Sequence, residues 1–449
     1  MTPETQTPNA DTAARFIAAA GGRNDPFDAV DAARMALVDT LGVAIGACAL
    51  KEDAGETVRR AAAAWQSSGN ARILGGGKSA PAVAALVNAT YGHCLDYDDT
   101  HVGAVAHLGN PTWAAALAVG QHLGRGDREV LNAFITGFEV GARLGYGFGG
   151  VANEHGFHST GLFGCFAATT AAAVLMGLDE EGIRNALGAA ATQAAGLVES
   201  FGTMSKPFHA GKAAMNGVLS AELAAQGFVA KQSLLESDRG FGDAFIQDGS
   251  AKVKALDFSG QLEITRNTLK PYASCLLTHP VIDAARSLSD AARDRDIAGI
   301  EVEVNPACIQ LAGKPDPRTG LEGKFSTAYC TALGLHGYAV SARDFTESRV
   351  SDATLRKTLR RVKLSPAPDR VMTSAHMRLT FADGEILDAE TALARGNPGN
   401  PMRWDDMRAK FFPLVEPALD DRSEGLYDLL RTFGEGESMS TVADIMANA

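Results

Sequence analysis

The chain has 449 residues, 46% of them hydrophobic and 21% charged, so it reads as a folded protein of two or three domains and not as a disordered one. Asp and Glu total 53 against 41 Lys and Arg, a formal charge of -12, which excludes a nucleic-acid binder that works through a basic face. Any anionic ligand must then be held by a local cluster of positive groups inside a repelling molecule. The six cysteines are scattered with no CxxC spacing, which fits neither a zinc framework nor a secreted disulfide scaffold. A reducing cytoplasm is the expected location. The opening MTPETQTPNADTAARF has neither a basic stretch nor an apolar core, so no signal peptide is predicted.

Residues 11 to about 265 read as helix after helix. Asp28 to Cys48 carries Val30, Leu37, Leu41 and Ile45 at helical spacing. Pro81 opens the next helix in its first turn, and Asn110-Pro111 opens another that Gly124 to Asp127 closes. Asp127 to Leu144 and Asp179 to Leu197 continue the pattern, the latter with three acids where the helix dipole favours them. Ser159 to Leu178 is free of charge but rich in Gly, Ala, Ser and Thr, so it reads as a core helix in close contact with its neighbours and not as a membrane span. Gly211 to Gly227 is a further Ala-rich helix. Near residue 296 the texture changes. Ala298 to Val304 alternates as a half-buried strand, and Met377 to Phe381 with Glu385 to Glu390 reads as a hairpin about Asp383-Gly384. Helices are expected at His279 to Ala292 and Lys324 to Tyr338. The parse is a large all-helical domain, 1–265 plus 400–449, with a smaller α+β domain, 266–399, inserted before the C-terminal helices.

Seven of the ten histidines fall between His93 and His209. Histidine exchanges protons near neutral pH, so the clustering points to chemistry. Leu95-Asp-Tyr-Asp-Asp-Thr-His101, followed by His107, offers three carboxylates just past an apolar helix. There the dipole disfavours them, and oxygen-preferring metals would be the alternative use. Glu154-His-Gly-Phe-His158 precedes the charge-free helix, which Ser159 or Thr160 would cap. Phe201 to Lys212 holds Lys206, His209 and Lys212 between apolar helices, where an ammonium needs a partner. Lys270, with Cys275 and His279 beyond it, stands at the domain joint, and Tyr329 lies in a helix whose apolar face could equally bury it. His107, His158, Lys206 with His209, and Lys270 each precede an inferred helix N-terminus by a few residues, and such ends are anion sites. Gly75-Gly-Gly-Lys-Ser79 has Arg72 in place of the first P-loop glycine, and no HExxH or GxSxG occurs. Nothing calls for an organic cofactor.

In this order, LDYDDTH, the GFHST loop, GTMSKPFHAGKAA, LKPYASCLLTHPVIDAA and GKFSTAY resemble the MmgE/PrpD family, over roughly residues 10–430. The family includes 2-methylcitrate dehydratase, cis-aconitate decarboxylase and iminodisuccinate epimerase. The resemblance implies a helical domain with a smaller α/β lid and a cleft between them, usually in homodimers. It also implies chemistry on small polycarboxylates with no metal or cofactor, and neither nucleic acid nor membrane as partner. By position it assigns the catalytic set to Asp96, Thr100, His107, His158, Lys206, Lys270 and Tyr329, and His209 and Cys275 to substrate binding. Cys275 stands where the decarboxylase branch has a histidine, and His107 is followed by Leu-Gly-Asn-Pro in place of Pro-Ser or Pro-Gly. PDPRTGLEGKFS and FGTMSKPFH resemble the epimerase branch.

The expectation is a lyase of the 2-methylcitrate dehydratase kind that takes a proton from beside a carboxylate. An epimerase and a non-catalytic carboxylate binder are the alternatives. Lys206 and Lys270 would clamp carboxylates, His107 or His158 would move the proton, Asp96 would orient one of these, and Tyr329 would act as acid.

Overall fold

The structure is a computed structural model that describes residues 9–148, 150–247 and 253–449. It divides into two compact units. The larger contains the chain up to Cys94, Asp98–Thr268 and Arg403–Ala449; the smaller contains Leu95–Tyr97 and Leu269–Met402.

In chain order the larger unit has helices α1 (Phe27–Ala49), α2 (Pro81–Cys94), α3 (Gly109–Leu123), α4 (Asp127–Phe148), α5 (Ser159–Met176), α6 (Glu180–Ala191) and α7 (Ser205–Ala225). Helix α5 is the hub, packed against α3, α4, α6 and α7. Its small residues allow that crowding. A β-carbon on Gly137 of α4 would lie 2.5 Å from the Ala167 carbonyl oxygen, and one on Gly217 of α7 would lie 2.5 Å from Ala168 Cβ. Helices α1 and α5 have the length and apolarity of a membrane span, and both are largely buried in the protein interior. Trp113 and Phe134 stack at 4.0 Å between ring centroids in this core.

Two of the boundaries that differ from the sequence reading bear on the site. Helix α6 ends at Ala191, and the chain beyond it turns extended, so that Leu197 bridges Phe157. Helix α7 starts at Ser205 and not at Gly211, because Pro207 falls in the first turn, where its missing N–H costs nothing.

The smaller unit carries α8 (His279–Ser287), β1 (Ile297–Val304), α9 (Thr327–Leu335), β2 (Val362–Pro366), β3 (Ala375–Phe381) and β4 (Ile386–Thr391). The sheet order is β2-β1-β3-β4, with β1 parallel to β2 and antiparallel to β3. The hairpin turns at Asp383-Gly384 as expected, with Gly384 at φ +90°. Strand β2 was not anticipated: it is five residues long, half-exposed and at the sheet edge, so it lacks a full alternating pattern. Val281, Ala284 and Ala285 of α8 pack on Ile300, Val302, Met377 and Leu379 of the sheet.

Helices α10 (Trp404–Leu419), α11 (Arg422–Arg431) and α12 (Met439–Ala447) belong to the larger unit. Lys410 of α10 pairs with Asp39 of α1, both buried. The Asp127 carboxylate accepts the backbone N–H groups of Ser438 and Met439, each at 2.8 Å, and so satisfies the start of α12.

Candidate active site

The acidic run after α2 sends its three carboxylates to three destinations. Asp98 turns back on the helix it follows, its oxygens 2.9 and 2.8 Å from His93 Nδ1 and one of them 3.4 Å from His107 Nδ1. Burial opposes its charge, but the positive charges of His93 and His107 beside it hold its pKa well below the carboxylate range. Asp99 accepts the Gly109 N–H at 3.1 Å and the Asn267 side-chain amide at 2.5 Å. Burial, with Asp39 and Asp98 adding like charge, pushes its pKa up to about 8. Asp96 groups with the smaller unit, where its carboxylate lies 3.0 Å from Lys270 Nζ and its carbonyl accepts from the same ammonium at 2.9 Å. Asp96 does this with φ +49°, a conformation that non-glycine residues seldom adopt and that structures retain at sites under constraint.

Around His93 and Asp98 the larger unit gathers a group of imidazoles. His93 and His107 meet edge to face at 4.5 Å between centroids, and His93 lies 6.1 Å from the nearly parallel ring of His158. His158 Nδ1 is 3.0 Å from His209 Nδ1. Thr100 Oγ1 sits 3.4 Å from His107 Nδ1, and the His107 backbone N–H donates to Thr160 Oγ1 at 3.0 Å. Thr160 therefore serves His107 and does not cap α5. The N-cap position is His158 itself, with no side-chain cap. Lys206 is buried one residue into α7, its ammonium 5.5 Å from the ring centre of Phe201, whose edge meets His158 at 4.9 Å.

These contacts make His158 and His209 neutral bases at pH 7. Burial, and then the charge of Lys206, drive the His158 pKa well below the usual imidazole range. Burial, then His93 and Lys206, lower His209 to about 4. A buried neutral imidazole beside an ammonium can take a proton from a carbon acid while the cation steadies the charge left behind. Gly196 makes room for the pair: a β-carbon there would lie 3.2 Å from both His158 Cβ and His209 Nδ1.

Of the residues expected from sequence, Thr100, His107, His158, Lys206 and His209 thus fall in one part of the larger unit. The helix-terminus pattern holds for His107 and His158, which precede α3 and α5. Lys206 lies inside the first turn of α7 and His209 just past it, and a short 3-10 turn, Leu276–Thr278, separates Lys270 from α8. In the smaller unit Asp96 and Lys270 form their own pair. The Tyr329 hydroxyl donates to the Asp344 carbonyl at 2.7 Å in the interior, and burial raises its pKa, which is the core arrangement that its helix face allows. Cys275 packs half-buried against the sheet core, its N–H on the Lys324 carbonyl at 3.0 Å.

Two members of the imidazole group, His93 and Asp98, were not singled out from sequence. The available signal was a histidine in the last turn of α2 five residues before a carboxylate that the dipole disfavours. His93, Asp98 and His107 bring ligand atoms within 4.8 Å of one another, a spacing that a divalent ion could bridge. Both imidazoles, however, direct Nδ1 at the one carboxylate, and the three groups complement each other.

Comparison with known proteins agrees over nearly the whole chain. The MmgE/PrpD N-terminal domain matches residues 11–254 and the MmgE/PrpD C-terminal domain matches residues 272–429. Cis-aconitate decarboxylase of Homo sapiens is 26% identical over 384 residues, covering 82% of this chain and 79% of that protein. Cis-aconitate decarboxylase of Aspergillus terreus is 26% identical over 438 residues, covering 90% and 89% respectively.

Proposed function

The chain belongs to the MmgE/PrpD family, and from that premise we propose that it is a lyase acting on a small di- or tricarboxylate by proton removal beside a carboxylate. The observation that carries this reading is the neutral His158–His209 pair next to the buried Lys206 ammonium. Taking a proton from carbon next to a carboxylate builds a second negative charge there. A base that stays unprotonated at neutral pH and a fixed cation are the two groups the step demands.

In this mechanism Lys206 holds the carboxylate whose neighbouring carbon loses the proton. His158 accepts that proton at Nε2. His107, tied through Nδ1 to Asp98 and Thr100, is set to protonate a departing hydroxyl. By the family resemblance Cys275 stands where the decarboxylase branch carries a histidine, which favours dehydration of an acid like 2-methylcitrate over decarboxylation. Epimerisation of a dicarboxylate is the second reading, favoured by the PDPRTGLEGKFS and FGTMSKPFH stretches. It uses the same base and needs an acid on the opposite face. A cytoplasmic homodimer is the setting the family likeness suggests.

The test is to incubate the purified chain in heavy water with 2-methylcitrate, cis-aconitate and a set of dicarboxylates, and to follow them by proton NMR. Loss or addition of water with solvent deuterium entering at carbon is the expected result. If no acid on the panel reacts or exchanges a C–H proton, the chain is a carboxylate binder and the lyase reading falls.

A further inference from the structure

We propose that His158 and His209 share a single proton between their Nδ1 atoms and work as a relay that carries the substrate proton to water. This rests on the lyase reading for its substrate, but the shared proton itself does not depend on it.

The argument starts from the contact. The two Nδ1 atoms are 3.0 Å apart, a hydrogen-bond distance, and two nitrogens can bond only if one carries hydrogen and the other a lone pair. Neutral imidazole has one N–H. The pair therefore exists in two forms. In the first, His158 carries hydrogen on Nδ1 and has a lone pair on Nε2, ready to accept. In the second, His209 carries hydrogen on Nδ1, and His158 Nε2 bears hydrogen, ready to donate. Passing the bridging proton across, as one proton arrives at His158 Nε2 and another leaves His209 Nε2, interconverts base and acid at His158 with no movement of the ring.

The surroundings favour neutral rings and give the transfer a direction. Lys206, His93 and His107 all oppose positive charge on His158, and His93 and Lys206 do so on His209. His158 is only 3% exposed, whereas His209 near the start of α7 is half-buried and nearer solvent. When the substrate C–H bond breaks, its electron pair stays on carbon and spreads into the carboxylate. The proton bonds to His158 Nε2. The His158 Nδ1–H bond then breaks as that proton moves to His209 Nδ1, and the His209 Nε2–H proton leaves to water. His158 ends neutral and protonated at Nε2. Protons balance and no electron is transferred to or from the protein.

The experiment uses the full chain with 15N-labelled histidine and reads ring nitrogens by NMR between pH 5 and 8. One of the two Nδ1 atoms protonated and the other bare, with both rings neutral across the range, is the expected pattern. Two protonated Nδ1 atoms, two bare ones, or a His158 titration in the ordinary histidine range would overturn the proposal. In a second arm, H209N and H209F are compared with wild type for deuterium uptake from heavy water into 2-methylcitrate and cis-aconitate. Asparagine can still hydrogen-bond to His158 Nδ1 but cannot pass a proton on. Both variants are expected to slow exchange by about tenfold or more, with KM within about threefold. H209N exchanging at the wild-type rate would mean that His209 only orients His158, and the relay would be wrong. If wild type acts on no acid of the full panel, the lyase reading is what fails, and the ring spectra alone decide the relay.

Discussion

His93 and Asp98, five residues apart, face each other across the C-terminal end of α2, with Nδ1 2.8 Å from a carboxylate oxygen and neither side chain exposed. A carboxylate past the end of a helix is repelled by the dipole. Here the imidazole in the last turn supplies the compensating charge, and His107 adds to it. Asp98→Asn keeps the shape and removes the anion, so it is expected to destabilise the fold by about 1.5–3 kcal/mol at pH 7. Because the Asp98 pKa is depressed, its stabilising effect is present above the ordinary carboxylate pKa and disappears as pH falls toward the folded-state value. Thermal melts against pH check both: wild type should lose stability on acidification more steeply than the variant.

Asp99 has the opposite sign. Its pKa of about 8 means the folded state keeps a proton that the unfolded chain gives up near pH 4. The resulting stability is complete below about pH 4, declines as pH rises toward about 8, and is flat beyond. Asp99→Asn mimics the protonated form and still offers an acceptor to the Gly109 N–H. Its melting temperature should therefore gain on wild type between about pH 4 and 8, and a parallel decline in both proteins would contradict the assignment.

His158→Asn and Lys206→Met are expected to leave the circular dichroism spectrum unchanged while lowering turnover by about 10²–10⁴-fold and about 10²–10³-fold respectively. The base must be neutral to act, and burial keeps His158 neutral well into acid. The low-pH limb of the wild-type rate profile should thus lie below the normal histidine range. A limb at or above pH 6.5 would point to a different base.

In the smaller unit, Lys270→Met takes an ammonium away from a buried carboxylate and should cost about 3–5 kcal/mol. Adding Asp96→Asn should restore part of this, since a neutral pair leaves no charge to desolvate. Urea unfolding of the two single variants and the double variant measures the coupling. Additive losses would show that the 3.0 Å contact contributes little.

How much of this was legible beforehand varies with the physics of each segment. The Asp383-Gly384 hairpin and the β1 alternation were readable because a tight turn and a one-sided strand leave marks within a few residues. The sequence reading starts α7 at Gly211, where the Ala-rich run begins, whereas the helix starts at Ser205, so Lys206 and His209 are missed from the helix they belong to. His93 was invisible as chemistry because α2 is apolar around it. Only the fold, by turning Asp98 back, discloses its partner. Which of three neighbouring carboxylates meets which cation is set by contacts as far as 174 residues away, between Asp96 and Lys270, and no local pattern encodes that.

The assignment of Leu95–Tyr97 to the smaller unit has a practical corollary for anyone dissecting the protein. Cutting out 269–402 as a fragment would leave behind the tripeptide whose Asp96 faces Lys270, whose Leu95 carbonyl receives Lys324 at 2.7 Å, and whose Tyr97 hydroxyl reaches the Pro271 carbonyl at 2.9 Å. Lys270 would lose the Asp96 carboxylate and Lys324 the Leu95 carbonyl. Such a fragment should be insoluble or molten unless a peptide spanning 95–97 is supplied in trans, so the boundary between the halves of this molecule cannot be drawn by a pair of cuts.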